Sequence, residues 1–191
     1  SEVVDAVNDI DGCYGSAFAV RRDGSLGAWG DNDYGQRGGG DTNGRLSPVK
    51  VMDNVSTINN SSFSSFAVRK DGSLWAWGYN GFGNLGVGDT NDRLSPVKVM
   101  DNVSTINSNY IGSTFAVRKD GSLWAWGNNY YGKLGVGVID ARRSRVKLLD
   151  AASTINVNYR HNIYVVKVCT FCARGFNSSR HLGVLLHNAV A

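Results

Sequence analysis

The sequence has little of several things that mark particular classes of protein. It contains 2 prolines and 3 cysteines in 191 residues, too few for a proline-rich linker or a disulfide scaffold. No apolar run approaches the ~18 residues of a membrane-spanning helix, and the first residues lack the basic and apolar regions of a signal peptide. No apolar face recurs with a helical period over ~12 residues. We therefore expect a soluble chain with no membrane span and no long helix.

Glycine, in contrast, is abundant, with 24 residues, and 42% of the residues are hydrophobic. This apolar content is normal for a globular core and excludes a disordered tail. Many glycines without a collagen period indicate many tight turns. The length favours a single domain. A turn-rich β protein is the first expectation.

Charge is divided unevenly along the chain. Residues 1–95 carry 8 Lys and Arg against 12 Asp and Glu, whereas residues 96–191 carry 12 against 4. Such asymmetry is typical of a protein with an acidic partner such as nucleic acid, or of copies that contact head to tail. Drift in the charge of solvated loops explains it equally well.

An eight-residue block recurs along the chain. VMDNVSTI at residues 51–58 returns unchanged at 99–106, and looser copies begin at Val3 and Leu148. The spacings of 48, 48 and 49 residues are in the range typical of stacked repeat architectures. The chain is thus predicted to be one repeat domain of about four units, the last degenerate, at approximately 1–48, 49–96, 97–145 and 146–191.

A second repeated block has the pattern of a β-hairpin. FAVRKDGSLWAWG at residues 66–78 returns at 115–127, and at 18–30 with Gly27 in place of a tryptophan. Two alternating apolar segments flank an Asp-Gly pair, which tolerates the positive φ of a tight turn. The turns are predicted at Asp23-Gly24, Asp71-Gly72 and Asp120-Gly121.

A two-residue turn would set the register of this hairpin. Phe66 would lie opposite Trp77 and Val68 opposite Trp75, so these large side chains would share one face. Small side chains on the other face would allow another sheet to approach closely. With a strand near residues 55–58 and an edge strand near 96–100, the unit becomes a four-stranded propeller blade. We predict an all-β fold of about four antiparallel blades in an open or partial propeller.

These residues carry a family resemblance over nearly the whole chain. The pattern DGSLWAWGxNxxGxLGxGDTxxRxSPVKVMDNV resembles the repeat of the regulator of chromosome condensation family, found in eukaryotic chromatin proteins and many bacterial proteins. The resemblance implies a β-propeller, usually of seven blades. The Gly-x-x-His-Thr that usually precedes the Phe strand is absent here, and Gly27 and Arg37 replace apolar residues of the first unit. The absence of an initial Met leads us to expect a fragment.

Three motifs that imitate catalytic or metal sites are better explained by the repeat. Cys169 and Cys172 precede His181 and His187, but regular zinc-finger spacing would place the histidines at Leu185 and Ala189, which bind no zinc. The Gly-x-Gly-x-x-Gly at residues 81–86 is followed by GDTND, which does not open a long helix as a dinucleotide site requires. The recurring Asp-Gly carboxylates are turn residues. We therefore predict no enzyme activity, no cofactor and no metal.

Recognition is predicted to depend on variable positions of the repeated frame. Aromatic residues and arginine, which anchor interfaces, occur in the variable segment before each Phe strand. The candidate protein-binding residues are Tyr14, Phe63, Tyr110, Tyr159 and Arg160. Filling of the blade tops is the structural alternative. A second aromatic recurs before glycine in three units, at Tyr34, Phe82 and Tyr131, and is predicted to belong to the core.

Three functions are compatible with this reading. The first is a non-enzymatic protein-binding propeller or scaffold module, with a protein partner and possible self-association. The second is association with chromatin or nucleic acid, for which the candidate basic patch is Arg142, Arg143, Arg145 and Lys147. That run contains no aromatics for base stacking, so nucleic acid is the less favoured partner. The third, implied only by the resemblance, is nucleotide exchange on a small GTPase, but the units contain no inserted loop to perform it.

Overall fold

Almost all regular structure in the chain is β-strand. The computed structural model describes residues 7–157, 163–167 and 170–174. In these residues the strands form three four-stranded sheets and one sheet with three described strands, each antiparallel with sequence neighbours paired. The predicted all-β fold of propeller blades is confirmed. No helix in the described residues is long and apolar enough to cross a membrane.

The sheets are numbered as blades in chain order. Blade 1 consists of β1 (Val7–Cys13), β2 (Ser16–Arg21), β3 (Leu26–Gly30) and β4 (Arg45–Met52). Blade 2 consists of β5 (Val55–Ser61), β6 (Ser64–Arg69), β7 (Leu74–Gly78) and β8 (Arg93–Met100). Blade 3 consists of β9 (Val103–Ser108), β10 (Ser113–Arg118), β11 (Leu123–Gly127) and β12 (Arg142–Leu149), with a short 3-10 turn at Tyr130–Gly132. Blade 4 consists of β13 (Ala152–Val157), β14 (Ile163–Lys167) and β15 (Thr170–Arg174).

The Asp-Gly pairs lie in the predicted hairpin turns, but each turn is longer than two residues. In blade 2 the Arg69 N–H donates to the Ser73 carbonyl over 2.9 Å, and the Asp71 carboxylate accepts from the Ser73 N–H and hydroxyl over 2.8 and 2.6 Å. Gly72 has a φ of 84°, a left-handed conformation that favours glycine. Asp71 is thus a structural turn residue, as predicted.

The longer turn moves the register by one residue, so the predicted pairing is wrong. Phe66 lies opposite Ala76 and Val68 opposite Leu74, while Trp75 and Trp77 lie opposite Ala67 and Ser65. A slip of one residue exchanges the two faces of a strand. The tryptophans therefore share a face with small residues, and Phe66 lies on the opposite face.

Successive blades pack large side chains against small ones. The core between blades 1 and 2 brings Phe18 and Leu26 against Ala67 and Trp77. Equivalent residues form the core between blades 2 and 3, and Phe115 packs against Ala152 and Ile155 in the core between blades 3 and 4. The first strands of neighbouring blades contact one another, β1 with β5, β5 with β9 and β9 with β13. The fourth strands are the other edges of their sheets, as predicted for the strand that contains Pro96.

In blades 2 and 3, one buried tryptophan connects the blade to the long loop of the preceding blade. The Trp77 indole N–H donates to the Gln36 carbonyl, and that of Trp126 donates to the Asn84 carbonyl, both over 2.7 Å. Gly86 allows this approach, because it has a φ of 72° and a Cβ there would lie 2.7 Å from the Trp126 indole nitrogen. The equivalent Trp29 of blade 1 is only half-buried. No described sheet packs against its face, so the ring of blades is open on this side.

The degenerate last unit is described only in part. Cys172 and Arg174 lie on β15, and Cys172 pairs with Val165 as Trp75 does with Ala67. Cys169, His181 and His187, the other candidate zinc ligands, lie outside the described residues.

Candidate aromatic interface

Two sets of connections meet at one end of the blades. In blades 1 to 3 the first strand leads into a short turn, and the third leads into a long loop. Because strands alternate in direction within an antiparallel sheet, these turns and loops lie at the same end. The Asp-Gly turns lie at the opposite end.

The short turns bring three of the predicted binding residues together. The Tyr14 ring centroid lies 5.0 Å from that of Phe63 and 5.2 Å from that of Tyr110. The hydroxyl groups of Tyr14 and Tyr110 are hydrogen bonded. Tyr14 is 46% exposed, and Phe63 and Tyr110 are half-buried. Three blades thus contribute to one aromatic cluster.

The long loops extend this cluster along the same end. Tyr34 lies 4.5 Å from Phe63 and 5.3 Å from Tyr79 between ring centroids. The series continues from Tyr79 to Phe82 over 6.3 Å and from Phe82 to Tyr130 over 6.2 Å. Edge and tilted contacts at such distances are favourable for aromatic pairs.

The prediction that Tyr34, Phe82 and Tyr131 belong to the core is wrong. Their exposed fractions are 37%, 37% and 59%. Their recurrence before glycine reflects the loop turn, in which Gly35, Gly83 and Gly132 all have positive φ. Recurrence at this position therefore reflects a conformation of the exposed loop and not burial in the core. The eight residues of this surface, termed the aromatic surface below, are Tyr14, Tyr34, Phe63, Tyr79, Phe82, Tyr110, Tyr130 and Tyr131.

A cavity of about 310 Å³ opens within the aromatic surface. Five rings line it, together with polar groups of Ser62 and Asn84 and the side chain of Ile111. The five are Tyr34, Phe63, Tyr79, Phe82 and Tyr110. Apolar concavities with a few polar groups are typical ligand sites. A second cavity of about 250 Å³ lies beyond Phe82, against Tyr130 and Ile139.

A buried asparagine holds each long loop in place. The Asn80 side-chain amide donates to the carbonyls of Asp89 and Asn91 over 3.0 and 3.1 Å, and its oxygen accepts from the Leu85 N–H over 2.9 Å. Asn32 and Asn129 make the equivalent contacts in blades 1 and 3. This asparagine belongs to the repeat pattern, but the pattern alone does not indicate its role.

The surroundings of Tyr79 on the aromatic surface favour its neutral phenol. Burial, with a smaller contribution from the Asp92 carboxylate, raises the pKa of Tyr79 above its ordinary value. Its phenol therefore remains protonated at neutral pH and can donate a hydrogen bond. Such a surface is suited to recognition by packing and hydroxyl hydrogen bonds, in the manner of aromatic interface anchors.

Within the described residues, no three His, Cys, Asp or Glu side chains are grouped to hold a metal ion. Tyr159 and Arg160, the remaining predicted binding residues, lie outside the described part of the chain.

The candidate basic patch lies on β12 and is partly engaged by neighbours. The Arg145 guanidinium donates to the Val99 carbonyl of blade 2, and the Lys147 ammonium forms an ion pair with Asp150. Arg142 is half-buried and Arg143 is exposed. The four side chains therefore do not present a uniform cationic surface.

The repeat of the regulator of chromosome condensation (RCC1) matches residues 71–115 and 120–151, and a second profile of the same repeat matches residues 106–133. These matches confirm the resemblance over residues 71–151. No curated protein matches the sequence.

Solved structures show the same fold. Human WBSCR16 is 18% identical with a TM-score of 0.77, over 93% of this chain and 50% of that one. A chain in the structure of Kap60 bound to yeast RCC1 (Prp20) is 21% identical with a TM-score of 0.69, over 85% and 42%. Prp20p from Saccharomyces cerevisiae, in work on its binding to Gsp1p and histones, is 21% identical with a TM-score of 0.63, over 75% and 38%. This chain thus spans half or less of their length.

Proposed function

We propose that this chain of regulator of chromosome condensation repeats is a non-enzymatic protein-binding module. The observation that carries the proposal is the aromatic surface, to which three blades contribute rings at one end of the fold. Burial of the apolar ring surface is favourable, and rigid aromatic rings lose little entropy when a partner immobilises them. A partner that covers this end would gain most from the cavity walled by Tyr34 and Phe63.

The frame beneath the surface supports this role. Buried Asn80 fixes the long loop of blade 2, and the Ser64 and Ser113 hydroxyls donate to carbonyls at the start of the long loops over 2.7 and 2.6 Å. Binding to a preorganised surface avoids the cost of ordering loops. Loops of variable sequence on a rigid repeat frame are a common basis for recognition.

The two alternative functions have less support among the described residues. A nucleic-acid surface would need several free cations, but Arg145 and Lys147 are engaged within the protein. A nucleotide exchange function would need a loop that projects from the propeller. The loops 31–44, 79–92 and 128–141 are of equal length, so none of these three is an inserted element. The relatives' partners, Gsp1p, histones and Kap60, are nevertheless all proteins.

Site-specific photocrosslinking tests the proposal. A photoreactive phenylalanine analogue at Tyr130, which is 60% exposed on the aromatic surface, should crosslink a discrete polypeptide in nuclease-treated extract of the source cells. The same analogue at Leu46, exposed on the outer strand of blade 1, is the matched control. Equal crosslinking from both positions, or no crosslinked polypeptide from Tyr130, would contradict the proposal.

A further inference from the structure

Blade 1 has a cavity where the other complete blades have an indole ring. Gly27 occupies the place of Trp75 and Trp124, because it pairs with Ala19 and Lys50 as Trp75 pairs with Ala67 and Lys98. The cavity has a volume of about 250 Å³. Its lining residues are Arg21, Ser25, Leu26, Gly27, Pro48 and Lys50.

The groups that surround the indole in blade 2 recur around this cavity. The Trp75 indole N–H donates to the Ser73 hydroxyl over 3.0 Å, and the Arg69 guanidinium lies 5.8 Å from the centre of the Trp75 ring. Blade 3 repeats the hydrogen bond, from Trp124 to Ser122 over 3.0 Å. In blade 1 the corresponding serine and arginine are Ser25 and Arg21, and both line the cavity.

The backbone around Gly27 leaves room for a side chain. A Cβ at Gly27 would meet only the Pro48 Cβ, at an ordinary contact distance of 3.5 Å. Pro48 is exposed, whereas its counterpart Pro96 in blade 2 is half-buried. Cavities of about 150 Å³ already bind benzene in other proteins, so this one has room for a bicyclic ring.

We infer that the Gly27 cavity is a binding site for a planar aromatic group of indole size, either free or carried on a peptide. The ring would stack between Pro48 and the Arg21 guanidinium, with its N–H donated to the Ser25 hydroxyl, as Trp75 donates to Ser73. Cation–π attraction adds to the buried area at such a site. The site lies beside the Asp-Gly turn, at the opposite end of the blade from the aromatic surface, and does not depend on the proposed function.

Titration of the full chain with indole tests the inference. The amide resonances of Ser25, Gly27 and Lys50 should shift and saturate at millimolar indole, and N-acetyltryptophanamide distinguishes a peptide-borne ring from a free one. Indene has the same shape without an N–H and should bind about fivefold more weakly, the value of one hydrogen bond. In Ser25→Ala, indole and indene should bind equally.

Gly27→Trp supplies the ring covalently. This variant should lose the indole-induced shifts and gain thermal stability. If it fails to fold, Trp75→Gly provides the converse experiment, in which added indole should recover part of the stability lost. The inference is overturned if neither ligand produces saturable shifts, or if the shifts map to the aromatic surface. It is also overturned if a second copy of the chain covers the Gly27 cavity and indole does not displace it.

Discussion

The Trp77 indole nitrogen lies 2.7 Å from the Gln36 carbonyl oxygen of the preceding blade, and the Trp77 side chain is fully buried. Trp77→Ala should therefore lower the free energy of unfolding by about 3–5 kcal/mol. Tyr110→Ala, on the aromatic surface, should lower it by ~1 kcal/mol. Urea unfolding of both variants measures the difference. Equal shifts of the urea midpoint would contradict the assignment of Trp77 to the core and of Tyr110 to the surface.

Asn80 should matter more than its exposed neighbour Asn91. Asn80→Ala removes the side-chain hydrogen bonds to Asp89, Asn91 and Leu85 that hold the long loop, and ~1 kcal/mol for each of the three partner residues predicts a loss of about 3 kcal/mol. Asn91→Ala should cost less than about 0.5 kcal/mol. Hydrogen exchange should show faster exchange of the Leu85 amide in Asn80→Ala only. Unchanged exchange there would mean that the loop is held by other contacts.

Lys133 should make stability depend on pH. Its side chain is fully buried, its ammonium has no hydrogen-bond partner, and burial lowers its pKa from 10.5 to about 8. Below pH 8 both folded and unfolded chains hold the proton, so the folded state bears the full cost of the buried charge. Between about 8 and 10.5 the folded state releases its proton first, and stability rises with pH.

The substitution Lys133→Asn tests this dependence, since Asn84 occupies the same place in blade 2 and accepts the Phe82 N–H over 3.1 Å. The variant should be more stable than the wild type by about 3 kcal/mol at pH 7. The gain should shrink as the pH rises from about 8 to 10.5. The exposed Lys119→Asn is the control and should show no such trend. A gain independent of pH would contradict the burial of a charge at Lys133.

Neutralising Arg142, Arg143 and Arg145 separates the partner classes. We expect no nucleic-acid complex tighter than the ~10⁻⁴–10⁻⁶ M of non-specific binding at physiological salt, with or without these arginines. If the uneven charge of the two halves drives self-association, the variant should instead show a smaller sedimenting species at low salt. A gel shift at nanomolar protein that the substitutions abolish would favour the chromatin hypothesis.

The sequence repeat was sufficient to predict the blades. The strand register and the composition of the aromatic surface depended on the geometry of the turns and loops. Recurrence of the Asp-Gly turn identified every hairpin between second and third strands in blades 1 to 3. The predicted strand register was wrong because the turn is one residue longer than two. The Asp71 carboxylate accepts from the Ser73 N–H in this longer turn. One extra residue was enough to exchange the faces of Phe66 and Trp77.

The aromatic surface was predictable only in its short turns. Tyr14, Phe63 and Tyr110 stood out because they varied, whereas Tyr34 and Phe82 recurred and therefore resembled core residues. The aromatics of the short turns and those of the long loops meet because antiparallel strands bring turns and loops to one end of the blade. Their proximity therefore follows from the blade topology and not from either motif alone. The role of Asn80 was missed because its side chain bonds an N–H and two carbonyls that lie 5 to 11 residues away, in a loop without a regular pattern.

The most direct test of the binding proposal is affinity capture from nuclease-treated extract with a surface variant. Tyr14→Asn, Phe63→Ser and Tyr110→Ser remove three central rings, with asparagine chosen because Tyr14 has a φ of 48°. Leu46→Ser with Val49→Ser, on the exposed outer strand, is the control. A protein retained by the wild type and the control but lost from the folded surface variant is the predicted result. Equal retention by all three chains, or equal loss from both variants, would contradict the assignment of binding to the aromatic surface.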